Sequence, residues 1–335
     1  MKRPGRYLVV GSGSIGRRHL RNLRQLRPDG VLAVLRRPDS TGAGPIEGCD
    51  EVLSSPDDAL AFEPSAAVIA SPAPFHAPMA RRMLEAGVSV LIEKPLASSY
   101  GDALGLIDVA RRSPAAALVG YNLRFEPGLQ AYRKMIHDEV MGQVLLARGY
   151  VGQYLPDWRP DADYRTGVSG QADLGGGPLL ELSHEVDLAC WFFGVPDEVH
   201  CVGGRFSALE IDVEDAVELT LVYSDPARMV TLGLNFLERA PRRSFDIVGS
   251  EATLRWDGIA RRITIDSQAG SSAVDHSGHD RNAAYLAELR HFLACAEQEE
   301  EPIVSIEDGL NVLSVIEAAR KSMQTGRGVT LERRI

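Results

Sequence analysis

The stretch 175–194, GGGPLLELSHEVDLACWFFG, sets Glu181, His184 and Asp187 into an almost wholly apolar run. An imidazole titrates near neutral pH, so His184 can take a proton from a hydroxyl and return it. A nearby carboxylate can orient such a ring. Successive members of the set are three residues apart, which predicts one stripe of one buried helix. Buried ionisable groups are unfavourable unless paired or used. The stretch is therefore either a satisfied polar network that fixes a helix or the floor of an active site. A second chemical group lies far upstream. Glu93-Lys94-Pro95 follows the apolar run 88–92, so Lys94 is held in a rigid turn from which its ammonium can donate to a reacting oxygen. The Lys94–Pro95 bond is a candidate cis peptide.

The elements that must position Lys94 begin at the N-terminus. A short strand, 7–10, runs into Gly11-Ser12-Gly13-Ser14-Ile15-Gly16, and a helix starts near Arg17. Strand, glycine turn and helix in that order form a dinucleotide-binding fingerprint, in which a pyrophosphate meets the helix N-terminus. An NAD site places an acid about 20 residues further on. Here strand 31–35 ends in Arg36-Arg37 instead. Two guanidiniums suit a 2′-phosphate, which favours NADP over NAD; the alternative is a pair of solvated loop arginines. Strand 66–70 is followed by Ser71-Pro72-Ala73-Pro74-Phe75-His76, where ligands sit in open α/β sheets. A helix over 77–86, strand 88–92, a helix over 99–112 and strand 116–121 follow, with Asn122, Arg124 and Phe125 at its end. This alternation predicts a doubly wound parallel sheet, a Rossmann domain over 1–122.

Past Gly142 the pattern changes to long alternating strands, such as Val217, Leu219, Leu221 and Tyr223. They predict an α+β domain over 123–335 with a large, mostly antiparallel open sheet. The free face of that sheet is expected to join copies into a homodimer or homotetramer. The segment 267–279 is small and polar and is expected to be a mobile loop. Its Asp275-His276 and His279-Asp280 pairs lack further ligands nearby, so no metal site is expected. Segments 282–298 and 306–323 are amphipathic helices.

Composition excludes some functions. The formal net charge of −10 argues against nucleic acid or an anionic membrane as partner. It is unevenly spread: residues 1–122 carry 15 Lys and Arg against 12 Asp and Glu. The sequence has no apolar run of about 18 residues and no signal-peptide pattern, and its four cysteines are scattered. A cytoplasmic protein with reduced thiols is expected.

The motifs GSGSIGRRH, ASPAPFH, EKPLA, GYNLRF, GGGPLLELSHEVDLACWFFG and KSMQTGRGV occur in the order of a known family. The sequence resembles the glucose–fructose oxidoreductase / inositol dehydrogenase / MocA family of NAD(P)-dependent dehydrogenases over nearly its whole length. The resemblance implies that Lys94 is the active-site lysine and His184 the catalytic histidine. It implies that Asn122, Glu93 and the Ser71–His76 segment contact the cofactor. The family commonly has an aspartate four residues before the histidine; here Leu180 stands there, and the acid is Glu181. The segment 154–165, YLPDWRPDADYR, looks like a branch associated with bacterial surface-sugar and sugar-nucleotide pathways. Tyr154, Trp158, Arg159, Tyr164 and Arg165, with Arg124 and Asp187, are then candidates to meet substrate hydroxyls or phosphates. Each also has a purely structural alternative. The implied reaction is hydride transfer between nicotinamide and a ring carbinol of a carbohydrate or cyclitol. An NAD-dependent glycosidase of the same fold and a non-catalytic dinucleotide sensor are the alternatives.

Overall fold

The computed structural model describes residues 5–36 and 46–331. Arg37 lies outside them. The chain forms two compact units, Met1–Asn122 with Asn282–Leu310, and Leu123–Arg281 with Asn311–Ile335.

Unit 1 is built from β1 (Arg6–Val10), α1 (Ser14–Leu26), β2 (Val31–Leu35), β3 (Glu51–Leu53), α2 (Pro56–Ala61), β4 (Ala66–Ile69), α3 (His76–Glu85), β5 (Ser89–Glu93), α4 (Tyr100–Arg112) and β6 (Ala117–Gly120). The six strands form one parallel sheet in the order β3-β2-β1-β4-β5-β6. Strands β4 and β5 are buried along their whole length, which explains their continuous apolar character: helices cover both faces. Register aligns Val10 with Leu35 and Ile69, and Ile69 with Ile92. All carboxyl ends therefore share one edge. The order reverses between β1 and β4, the switch point where α/β sheets bind ligands.

The contiguous division at 122/123 read from the sequence does not account for segment 282–310. Its helix, α8 when numbered with the rest of the chain (Ala283–Ala296), places Leu289, Phe292 and Leu293 in one core with Val9, Leu20, Leu32 and Val68. Val119 N–H also donates to Val304 O at 3.1 Å. An amphipathic helix shows which face is apolar, not which core receives it.

Unit 2 contains α5 (Pro127–His137), β7 (Val144–Gly152), α6 (Pro178–Glu181), α7 (His184–Phe193), β8 (Glu198–Gly204), β9 (Ala216–Ser224), β10 (Ala227–Asn235), β11 (Arg242–Gly249), β12 (Ala252–Asp257), β13 (Arg262–Ser267), β14 (Gly270–Asp275) and β15 (Val329–Thr330). Helix α9 (Ile306–Thr325) begins in unit 1 and continues in unit 2. The sheet order is β14-β13-β12-β11-β7-β10-β9-β8-β15. Among the described residues of this sheet, only β7 and β10 pair in parallel. Helices α5 and α7 cover one face: Phe192 meets Phe245 edge to face at 5.2 Å and Tyr132 at 5.7 Å, and Tyr132 OH donates to Phe245 O at 2.8 Å.

Two sequence expectations change here. The single helix expected over 175–194 is interrupted, because Leu182 adopts φ −103° and ψ 26° between α6 and α7. The polar loop expected over 267–279 contains β14, antiparallel to β13. All six β14 residues are exposed, so its ladder to β13 forms without the apolar alternation that would announce a strand. The Lys94–Pro95 bond is cis.

Candidate active site

The glycine loop is shaped by close approach. Gly11 has φ +104°, and a Cβ there would stand 2.6 Å from Ala70 O; only glycine holds this turn without strain. Gly11 N–H donates to Leu35 O at 2.9 Å, tying the loop to the adjoining strand end. Helix α1 starts at Ser14 with Gly13 as its N-cap and no side-chain cap. A Cβ on Gly13 would meet nothing within 4 Å, so that side of the loop is open. Ser71 Oγ, at the end of β4, is buried with no hydrogen-bond partner. A helix N-terminus without a side-chain cap, an open glycine and an orphaned buried hydroxyl at the switch point fit a dinucleotide pyrophosphate. Ser12 and Ile15 complete the loop, and Arg36 is half-buried at the end of β2. Phe75 is exposed, and Asn122 is buried just past β6.

Two of the predicted cofactor residues have local work that the sequence did not indicate. The His76 ring lies between Pro95 O, 2.8 Å from Nδ1, and Ser71 O, 2.6 Å from Nε2. It thereby joins the turn after β4 to the turn that carries Lys94. Burial pushes its pKa down, against the pull of those two carbonyls. Glu93 accepts from His19 Nε2 at 2.6 Å and from Lys94 N–H at 3.3 Å. Burial opposes ionisation of Glu93, but the His19 bond and the charges of His19, Lys94 and His76 outweigh it and lower its pKa. Lys94 is half-buried, next to a carboxylate fixed to α1.

In unit 2, Gly177 has φ +94° and packs on the Glu214 carboxylate, 2.6 Å from where a Cβ would stand. It leads into α6 with Pro178 at the first turn. His184 opens α7 and is buried. Glu181 closes α6 and accepts from Ser169 Oγ at 2.6 Å. Asp187 receives Arg124 in a bidentate pair, Nη2 to Oδ1 at 2.6 Å and Nε to Oδ2 at 3.1 Å. The side chains are 4% and 0% exposed. This pair anchors α7 to the turn Asn122–Phe125.

The remaining candidates lie in the segment 154–165. Arg239 stacks on Tyr154 at 3.6 Å. Trp158 packs edge to face on Phe236 and donates to Gln153 O. Arg159 is exposed, Tyr164 OH accepts from Glu210 N–H at 3.4 Å, and Arg165 pairs with Asp163 and Glu210 at the surface. Sequence reading missed His19, Glu185 and Arg243. Glu185 is buried and pairs with Arg243 at 2.7 Å. A histidine on the apolar stripe of α1, three residues after Gly16, was the available signal for His19.

Residues 5–121 match an oxidoreductase family's NAD-binding Rossmann fold, and residues 133–331 match the same family's C-terminal alpha/beta domain. The chain belongs to the Gfo/Idh/MocA oxidoreductase family. Inositol 2-dehydrogenase of Rubrobacter xylanophilus is 25% identical over 327 residues, covering 95% of this chain and 90% of that protein. D-xylose 1-dehydrogenase (NADP(+)) 2 of Haloferax volcanii is 25% identical over 309 residues, covering 88% and 87%. The WlbA dehydrogenase of Bordetella pertussis, solved with NADH and UDP-GlcNAcA, superposes with a TM-score of 0.83 at 23% identity, covering 98% of this chain and 99% of that one. That likeness is one of fold. Unit 1 is the NAD-binding Rossmann part of a Gfo/Idh/MocA oxidoreductase. No helix among its described residues or those of unit 2 is long and apolar enough to cross a membrane.

Proposed function

We propose that the protein is an NAD(P)-dependent dehydrogenase that moves a hydride between nicotinamide and a ring carbinol of a sugar, cyclitol or sugar-nucleotide-type substrate. The observation that carries this reading is the place of Lys94. It stands at the carboxyl end of β5, two strands from the glycine loop in the order β1-β4-β5, so about 10 Å along the sheet edge at the usual strand spacing. Nicotinamide, when bound, supplies the hydride acceptor or donor at C4. The protein must manage the proton. Loss of hydride leaves a carbinol oxygen with a proton to lose, which the His184 imidazole takes. Lys94 Nζ donates a hydrogen bond to that oxygen and stabilises its alkoxide character. Glu181, which accepts from Ser169, orients the imidazole or accepts its proton. The Arg124–Asp187 pair holds α7 in place. Tyr154, Trp158, Arg159, Tyr164 and Arg165 are assigned to substrate groups away from the reacting carbon.

The test is a screen of cyclitols, aldoses, uronates and nucleotide sugars with NAD and NADP, following absorbance of the reduced nicotinamide. On the substrate found, His184→Ala and Lys94→Ala should each lower kcat by about 100-fold or more; near-wild-type rates would overturn the assignment. Arg36, with Arg37 beside it in sequence, supports a preference for NADP. Clearly tighter binding of NAD in a titration of both would reverse that preference. The open face of the unit 2 sheet is assigned to a homodimer or homotetramer contact. Val202 stands 75% exposed on that face while its neighbour in sequence, Cys201, is buried. The reading assigns the protein to the cytoplasm, where its four cysteines, none of them in a disulfide, stay reduced.

A further inference from the structure

The interior of unit 1 holds a cluster of electron-pair donors with too little positive charge. His19 on α1, Glu93 at the end of β5 and Glu288 on α8 each offer one ligand atom within 4.8 Å of the others, and all three residues are buried. Glu288 is 1% exposed, and neither of its carboxylate oxygens has a hydrogen-bond partner. His19 is 0% exposed and gives its Nε2–H to Glu93. An ion that takes the place of this proton is met by both Nε2 and the carboxylate, the ring then carrying its proton on Nδ1. Two carboxylate oxygens of one buried side chain without any donor are not what native interiors show. Two carboxylates and an imidazole supply the donor set and the charge that match a divalent ion of borderline softness. Bonds of about 2.0–2.2 Å to a tetrahedral ion put ligand atoms about 3.3–3.6 Å apart, so a pair at the 4.8 Å bound closes by roughly 1 Å on binding.

We propose that His19, Glu93 and Glu288 bind one divalent transition-metal ion, of the zinc and manganese class, inside unit 1. The ion ties together the helix of the dinucleotide loop, the strand end before Lys94 and helix α8. Its role is to fix these three elements rather than to take part in hydride transfer.

The test uses the full-length protein, stripped with chelator and incubated overnight with Co²⁺, then with Zn²⁺. The expected result is about one equivalent of Co²⁺ with visible d–d absorption of a site containing nitrogen and carboxylate ligands, displaced by Zn²⁺. The melting temperature should rise with either ion. Glu288→Gln keeps the shape of the side chain and removes a ligand charge. Since loss of a group that merely orients a ligand weakens metal binding about 10–100-fold, this variant should lose at least that much, and His19→Gln likewise. His279→Gln, in an exposed segment, should bind as the wild type does. Circular dichroism separates lost binding from lost folding, and the wild-type titration decides the matter even where a variant does not fold. No stoichiometric uptake by the wild-type protein would overturn the proposal and leave a proton on Glu288 as the missing charge. Unchanged Co²⁺ spectra in a folded Glu288→Gln protein would overturn it as well.

Discussion

Replacing Asp187 by alanine gives the sharpest check on how α7 is held. The carboxylate is fully buried, and it receives Arg124 through contacts of 2.6, 3.1 and 3.2 Å. Truncation leaves the guanidinium buried without its counter-charge. Breaking such a pair from one side costs about 3–5 kcal/mol, much of it the desolvation of the remaining ion. At roughly 2–4 °C per kcal/mol for a unit of this size, the melting temperature should fall by about 6–20 °C. The readout is selective, because all three tryptophans, Trp158, Trp191 and Trp256, belong to unit 2. A thermal melt followed by tryptophan fluorescence therefore reports the unit in which the pair lies. Removing both charges with Arg124→Met and Asp187→Leu should recover most of the loss, since a well-packed apolar pair is often neutral or stabilising. A fluorescence melt of Asp187→Ala within about 2 °C of wild type, less than 1 kcal/mol on the same scale, would refute the idea that the pair anchors the helix. Asp187 would then be free to be treated as a substrate group.

Gly11→Ala sets a Cβ against Ala70 O in a left-handed backbone. Strain of about 1–3 kcal/mol should appear as a loss of roughly 5- to 150-fold in dinucleotide affinity by calorimetry, and unchanged affinity would show that the loop tolerates a side chain. Burial first, then the charges of Glu214 and Glu218, push the Cys201 thiol up to about 12 from its ordinary 9.0. The folded chain thus keeps a proton that the unfolded chain loses above pH 9.0, so stability should fall as pH rises from there towards the folded value. Cys201→Ala should flatten that alkaline decline in urea midpoints, and an identical decline in both proteins would assign it to other groups.

Much of the fold was legible because the signals are local. β-Branched runs of strand length, glycines between strand and helix, and Lys94 before proline each act over a few residues, so the doubly wound sheet and the edge that carries Lys94 followed from spacing. The sheet of unit 2 was equally visible as period-two alternation. His184 was visible as an ionisable residue in an apolar run.

What the tertiary structure decided concerns partners distant along the chain. The sequence showed ionisable groups at 181, 184 and 187 but assumed one helix. The fold brought Ser169 to Glu181 and Arg124, 63 residues away, to Asp187. It also joined His19 to Glu93 across 74 residues and placed α8 in the core of unit 1. No local pattern specifies these pairings. Whether a buried charge serves chemistry or packing depends on which groups neutralise it, and those groups are chosen only when the whole chain folds.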